Sequence, residues 1–264
     1  MASPERILPL SPARMKGLLS SVSRIWVRLR LNEIGPLLSL AAFGFFAWAF
    51  IAIADEVIEG EIHAFDSTIL LALRDPQDLA NPLGPHWLEE AARDFTGLGG
   101  YAILTLLTTA TVLYLLMTGK RAAAVLVLVS IIGGTLISTG LKMGFERPRP
   151  DLVPHATRVY TASFPSGHAM LSAITYLTLG ALLARVEKSR RVSAFILGLA
   201  IVMTLLVGAS RVYLGVHWPS DVIAGWSVGA AWAALCWFVA LQLQRRGQVE
   251  KPGETSLPPD SDTA

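Results

Sequence analysis

The sequence predicts an all-α, polytopic membrane protein built as a bundle of six transmembrane helices. Three observations carry this prediction: 53% of the 264 residues are hydrophobic, only 16% are charged, and six long stretches contain no Asp, Glu, Lys or Arg. A soluble domain usually carries about 25% charged residues. The composition also excludes collagen-like and disulfide-stapled proteins, because the glycines follow no repeat and Cys236 is the single cysteine.

The uncharged stretches are the candidate spans, and the shortest of them has 19 residues. A helix needs roughly 18 apolar residues to cross a hydrocarbon core of about 30 Å. Backbone amides in lipid must be satisfied within the segment, and no alternating ten-residue segments occur, so helices are favoured over a barrel. The six stretches are 34–54, 95–119, 122–141, 159–184, 192–210 and 222–244.

Small residues recur in the third and sixth stretches, where they predict close helix packing rather than a functional role. They are Gly133, Gly134, Ser138 and Gly140 in the third stretch, and Gly225, Gly229, Ala230 and Ala233 in the sixth.

Basic residues are distributed unevenly between the two sides of this bundle. The segments before residue 34, around 120–121, at 185–191 and after 244 carry 15 Lys and Arg, whereas the other connections carry 7. Lys and Arg accumulate on the cytoplasmic side, so we expect both termini in the cytoplasm. We therefore divide the chain into a basic cytoplasmic segment 1–33, a six-span domain 34–244 and a disordered cytoplasmic tail 245–264.

Two connecting regions have helical patterns of their own. Residues 14–31 combine apolar positions at helical spacing with arginines, which suits either a helix on the inner membrane surface or a topogenic tail. The loop 55–94 contains two short helical pieces, 67–74 with Asp66 as its N-cap and 85–95. We interpret His63 and His86 in this loop as surface histidines.

Three polar clusters interrupt the apolar pattern, and all of them fall at the predicted outer ends of spans. They read KMGFERPRP at 142–150, FPSGHA at 164–169 and SRVYLGVHWPSD at 210–221. Ionisable groups this close to lipid are costly and usually functional. A net charge of only +2, spread along the chain, argues against a nucleic-acid partner.

The cations of these clusters suit a phosphate group. Lys142, Arg149 and Arg211 offer positive charge and forked donors to phosphoryl oxygens. Ser166 can cap the fourth helix, and the amides of Gly167 and His168 can then face an anion at the helix N-terminus.

Phosphoryl transfer needs an attacking atom and a proton donor, and the two histidines can supply one each. His217 lies four residues before Asp221, whose carboxylate can fix the imidazole tautomer and direct the second nitrogen. Taken singly, these residues could be helix caps or head-group anchors; taken together, they favour a catalytic site. Four neighbouring residues receive no role in this hypothesis: Arg147, Arg158, His155 and Glu146.

The spacing resembles the type 2 phosphatidic acid phosphatase superfamily, the lipid phosphate phosphatases. The family signature is K-x6-R-P, P-S-G-H and S-R-x5-H-x3-D, and all eleven specified positions agree with this sequence between Lys142 and Asp221. The resemblance implies that His217 is the nucleophile, Asp221 its partner and His168 the acid for the leaving group. It implies further that the phosphoryl oxygens are held by Lys142, Arg149, Ser166, Gly167 and Arg211, and that no metal or other cofactor is required.

We therefore expect a membrane phosphatase acting on a lipid phosphate at the extracytoplasmic face of the plasma membrane. Undecaprenyl pyrophosphate is the favoured substrate, followed by phosphatidylglycerophosphate, phosphatidate or a lipid A phosphate. Two alternatives stay open. One is an enzyme like the vanadium haloperoxidases, which share the signature but are soluble proteins. The other is a lipid-phosphate binding or carrier protein without turnover.

Overall fold

The computed structural model describes residues 12–153 and 162–246, with side chains described from Ile34 onward. Its secondary structure is almost entirely helical. The described elements are α1 (Pro12–Glu59), α2 (His63–Ala72), β1 (Arg74–Asp75), β2 (Asp78–Pro82), α3 (His86–Leu98), α4 (Tyr101–Met117), α5 (Arg121–Phe145), α6 (Gly167–Val186), α7 (Arg190–Tyr213) and α8 (Pro219–Arg245).

Five of these helices are each long and apolar enough to cross a membrane, counting α1 from Ile34. The sixth span arises only if α3 and α4 are taken together, and these two helices meet at an angle of 46°. The prediction of a six-helix bundle is thus confirmed, but the stretch 95–119 is not one straight helix. It breaks at Gly99 and Gly100, and a Cβ on Gly99 would lie 2.3 Å from Cγ1 of Val207 on α7.

The connection between α1 and α4 differs from its prediction in three respects. The first helix begins at His63 and ends at Ala72, so Asp66 lies inside its first turn and is not its N-cap. Between α2 and α3 the chain forms the antiparallel pair β1–β2, which no sequence pattern indicated. The second helix, α3, begins at His86, one residue later than predicted, and ends at Leu98, three residues later than predicted. His63 and His86 are exposed.

Helix α6 lies at the centre of the bundle and packs against both α7 and α8, while α1 covers α8. Glycine makes the α6–α8 contact possible, because a Cβ on Gly225 would lie 2.6 Å from the Ser166 carbonyl oxygen. A Cβ on Gly229 would lie 2.6 Å from the Met170 carbonyl oxygen. Gly140 was expected at a similar contact but has no atom within 4 Å of its Cβ position.

Two predictions concern parts of the chain that the structure does not describe: the surface placement of the side chains at 14–31 and the disorder of the tail from 247 onward. His155 and Arg158, which received no role, also lie outside the described residues.

Candidate active site

Four helix ends meet at one end of the bundle and surround a cavity of about 700 Å³. They are the C-terminal ends of α5 and α7 and the N-terminal ends of α6 and α8. Six of the eight predicted site residues line this cavity: Lys142, Arg149, Gly167, His168, Arg211 and His217. The remaining two, Ser166 and Asp221, lie fully buried behind its wall.

His217 lies in the short turn between α7 and α8, and Asp221 lies in the first turn of α8. Gly215 makes this turn possible, because its φ of 72° is a conformation that residues with a Cβ rarely adopt. The i, i+4 spacing then places Nδ1 of His217 3.3 Å from Oδ2 of Asp221. The carboxylate can therefore accept a proton held on Nδ1.

Oδ2 of Asp221 is held in place by two further donors. The Trp218 amide donates to it over 2.9 Å, as an acid in the first turn of a helix commonly accepts from the N-cap residue. The Ser163 hydroxyl also donates to it, and Ser163 Oγ lies 3.4 Å from Nδ1 of His217. These contacts fix the acceptor that faces the imidazole.

The second imidazole nitrogen faces the cations of the cavity. Nε2 of His217 lies 3.2 Å from Nη1 of Arg149, which also donates to the Val216 carbonyl oxygen over 2.6 Å. Burial lowers the pKa of His217 to about 3; Asp221 opposes this shift, and Arg149 and Arg211 add to it. At neutral pH the ring is uncharged, so Nε2 carries a lone pair when Nδ1 carries the proton.

The other two predicted cations approach the cavity from α5 and α7. Lys142, in the last turn of α5, donates to the Ala162 carbonyl oxygen over 2.8 Å. Nη1 of Arg211 donates to the Thr96 hydroxyl over 2.9 Å, and Arg211 is only 4% exposed. Nε of Arg211 has no hydrogen-bond partner among the described residues. Buried cations need an anionic partner, and a phosphate group in this cavity would supply one.

The N-terminus of α6 completes the wall with Gly167 and His168. The Ser166 hydroxyl accepts from the Ala169 amide at 3.5 Å and so acts as the N-cap, as its sequence position indicated. The Ser166 amide donates to the Asp221 carbonyl oxygen over 2.9 Å. Ser166 is fully buried and does not line the cavity, so its hydroxyl supports the helix end behind the proposed phosphate site.

No group of three or more His, Cys, Asp or Glu side chains in the described part of the chain is arranged to hold a metal ion. The expectation of a reaction without a metal stays a prediction.

The chain is similar in sequence to a known family and to known proteins. The model of the PAP2 superfamily matches residues 123–245, a range that contains all three polar clusters. Phosphatidylglycerophosphatase B of Bacillus subtilis (strain 168) is 34% identical over 147 residues, which cover 54% of this chain and 70% of that protein. The chain belongs to the PAP2 superfamily.

Two further proteins to which this PAP2 member is similar are phosphatases by name. An undecaprenyl-diphosphatase of Sulfolobus acidocaldarius is 39% identical over 89 residues, covering 34% of this chain and 37% of that protein. The crystal structure of a transmembrane PAP2-type phosphatidylglycerolphosphate phosphatase from Bacillus subtilis superimposes with a TM-score of 0.60. It is 27% identical, and the match covers 79% of this chain and 96% of that chain. This structure and the apolar helices of the chain support a multi-pass membrane protein.

Sequence reasoning assigned no role in the candidate site to Asp66, Arg147 and Ser163. Arg147 received no role, yet its guanidinium bonds the carboxylates of both Asp66 and Asp221. Asp66 lies 81 positions before Arg147 in the chain. The available signals were weak, because an acid near a helix start resembles a cap and a serine two residues before a proline resembles a loop residue.

Proposed function

We propose that this PAP2 member hydrolyses a phosphate ester or diphosphate on a membrane lipid through a phosphohistidine intermediate. The single observation that carries the proposal is the His217–Asp221 pair, whose Nε2 faces a cavity lined by Lys142, Arg149 and Arg211. This arrangement joins an oriented nucleophile to positive charge at the place where phosphoryl oxygens would lie.

In the first step, the lone pair of Nε2 on His217 attacks phosphorus while the bond from phosphorus to the lipid oxygen breaks. The N–P bond gives the ring a positive charge, and Asp221 stabilises this charge through the proton on Nδ1. His168 donates a proton to the leaving oxygen, so the lipid departs as a neutral alcohol or as a shortened phosphate.

In the second step, water attacks the phosphohistidine and gives a proton to His168. The N–P bond breaks, inorganic phosphate leaves, and His217 returns to its neutral state. Lys142, Arg149, Arg211 and the amides at the α6 N-terminus hold the phosphoryl oxygens in both steps.

The walls of the cavity support a lipid substrate. Tyr101 at the start of α4 and Met143 near the end of α5 line it, and these side chains are 60% and 69% exposed. In a membrane, the exposed faces of α4 and α5 contact lipid. A headgroup could therefore bind in the cavity while its acyl or prenyl chain stays in the bilayer. This feature and the lipid phosphatases among its relatives favour a phosphatase over a haloperoxidase.

The proposal is tested with purified protein in detergent and a panel of lipid phosphates. The panel contains undecaprenyl pyrophosphate, phosphatidylglycerophosphate, phosphatidate and a lipid A phosphate, each labelled with ³²P in the scissile group and assayed with chelator present. We expect phosphate release from at least one lipid and label attached to the protein after rapid acid-free quenching. His217→Gln should remove both signals, because glutamine cannot attack phosphorus.

A matched control is His86→Gln, since His86 is an exposed histidine at the start of α3. It should retain both signals. Full phosphate release by the His217→Gln variant would exclude His217 as the nucleophile.

A further inference from the structure

The predicted catalytic carboxylate Asp221 belongs to a buried network that reaches into the loop between α1 and α3. Its Oδ1 accepts from Nη1 of Arg147 over 2.7 Å, while its Oδ2 serves His217. Nη2 of Arg147 donates over 2.8 Å to Oδ2 of Asp66, which lies on α2. The two arms of one guanidinium thus join two carboxylates from distant parts of the chain.

Ser220 closes this network. Its amide donates over 2.9 Å to Oδ1 of Asp66, and its hydroxyl lies 2.5 Å from Oδ2 of the same carboxylate. Nη1 of Arg147 also donates to the Ser220 hydroxyl, over 2.8 Å. Asp66 therefore serves as an anionic partner for the first turn of α8, although it lies on another helix.

Charge explains why the three ionic groups depend on one another. Asp66 and Asp221 are both 0% exposed, and the side chain of Arg147 is 13% exposed. Two carboxylates buried this close together repel each other unless a cation lies between them. Arg147 supplies that cation, and its planar fork can hold each carboxylate in a fixed direction, which a lysine cannot do.

Arg147 also packs against an aromatic ring. Its guanidinium carbon lies 5.7 Å from the ring centre of Trp218, whose indole nitrogen donates to the Pro148 carbonyl oxygen over 3.2 Å. Arg147 is therefore held by a ring on one side and by carboxylates at both ends of its fork. Although it lines the cavity, both of its terminal nitrogens are already engaged.

We propose that Arg147 and Asp66 are positioning residues: Asp66 anchors Arg147, and Arg147 orients the Asp221 carboxylate that aligns His217 for attack. The inference rests on the proposed function, in which His217 is the nucleophile. It assigns α2 and the loop 55–94 a role in catalysis without any contact to the substrate. The phosphoryl group itself is held by Lys142, Arg149 and Arg211.

The test compares Asp66→Asn and Arg147→Lys with the unaltered protein. Each variant should lower kcat by about 10- to 100-fold, the range known for groups that orient metal-binding side chains. KM and the inhibition constant of inorganic phosphate should change by less than about twofold, because the phosphate-binding cations are untouched. The double variant should lose little more than either single variant, since both act through one contact.

The matched control is the ion pair of Arg93 and Glu89 on α3, whose side chains are 50% and 25% exposed and whose Nη2 and Oε1 lie 2.6 Å apart. Arg93→Lys and Glu89→Gln exchange the same groups outside the network and should leave kcat unchanged. Thermal midpoints in detergent show whether each variant is folded, and kcat is referred to the folded fraction.

A readout independent of turnover is the ¹⁵N NMR spectrum of histidine-labelled protein, with His217 assigned from the His217→Gln variant. Asp66→Asn and Arg147→Lys should shift the Nδ1 signal of His217, because its acceptor moves. Wild-type kcat in both variants, an additive double variant, or an unshifted Nδ1 signal would each overturn the inference. A weakened phosphate inhibition constant in Arg147→Lys would instead assign that residue to phosphate binding.

A different result would refute the proposed function. If the unaltered protein releases no phosphate from any lipid of the panel, the hydrolytic reaction is wrong, and the Nδ1 shift alone then decides whether the network orients His217.

Discussion

A single methyl group added at Gly225 should move α8 away from the start of α6, and both of these helices carry residues of the candidate active site. The α-carbon of Gly225 faces the start of α6, and an added Cβ would meet the Ser166 carbonyl oxygen at 2.6 Å, the Ala169 Cβ at 3.1 Å and the Met170 amide nitrogen at 3.2 Å. Two of these three atoms belong to the backbone. The Gly225→Ala change therefore cannot be absorbed by rotation of a side chain.

The required movement follows from the distances. Cβ contacts below 3.0 Å essentially do not occur, so α8 must move from α6 by at least about 0.4 Å at this point. Overpacking of this kind costs about 1–3 kcal/mol. Asp221 lies one helical turn before Gly225, and a misplacement of about 1 Å in a catalytic site can cost about 100-fold in rate. We expect kcat to fall about 10-fold, with a lower thermal midpoint.

Gly140→Ala is the matched control, because its Cβ position has no atom within 4 Å and alanine is the better helix former. It should keep full kcat and an equal or higher thermal midpoint. Both variants are assayed for phosphate release and melting in one detergent. If Gly225→Ala behaved like Gly140→Ala, the close α6–α8 contact would not determine the geometry of the site.

Two further predictions concern pH and topology. Burial lowers the pKa of His217 to about 3, so between about pH 3 and the ordinary value of 6.5 the unfolded chain binds more protons than the folded one. The thermal midpoint should therefore fall as the pH is lowered from 7 to 4.5, and a His217→Gln variant with an equally steep fall would refute this reasoning. The topology is tested with an impermeant thiol reagent added to intact cells. In a Cys236→Ala background, the reagent should label Gln77→Cys but not Lys188→Cys. Both positions are exposed, and they lie at opposite ends of the bundle. Labelling of Lys188→Cys alone would place the active site on the cytoplasmic side.

The spans could be predicted from the sequence because lipid excludes charge along the whole length of a helix. The stretch 122–141 lies within α5, and 222–244 lies within α8. The break between α3 and α4 could not be found in this way, because Gly99 and Gly100 carry no charge and leave the uncharged stretch uninterrupted. Only the contact with Val207 on α7 shows why glycine is needed there.

In the candidate site, likewise, contacts between residues close in the sequence could be predicted and contacts between distant residues could not. His217 and Asp221 are four residues apart, so their contact follows from the start of a helix and could be predicted from spacing. Asp66 and Asp221 are connected through Arg147 and through Ser220, across more than 150 residues of chain. In the sequence Asp66 resembles a helix cap, and its burial depends on how α2 packs against α8.

The proposed nucleophile, His217, is held by contacts between the spans and by contacts that reach outside them. The residues that would meet the phosphoryl group come from four helix ends, whose mutual positions are set by close contacts such as the one between Gly225 and Ser166. In the proposed arrangement, the orientation of Asp221 depends in addition on α2, a loop helix outside the spans, through Arg147 and Asp66. A change in α2 would then affect the imidazole ring without altering the three cations that we propose to bind phosphate. Loss of rate with unchanged phosphate affinity is the result that distinguishes this arrangement from a site built by the spans alone.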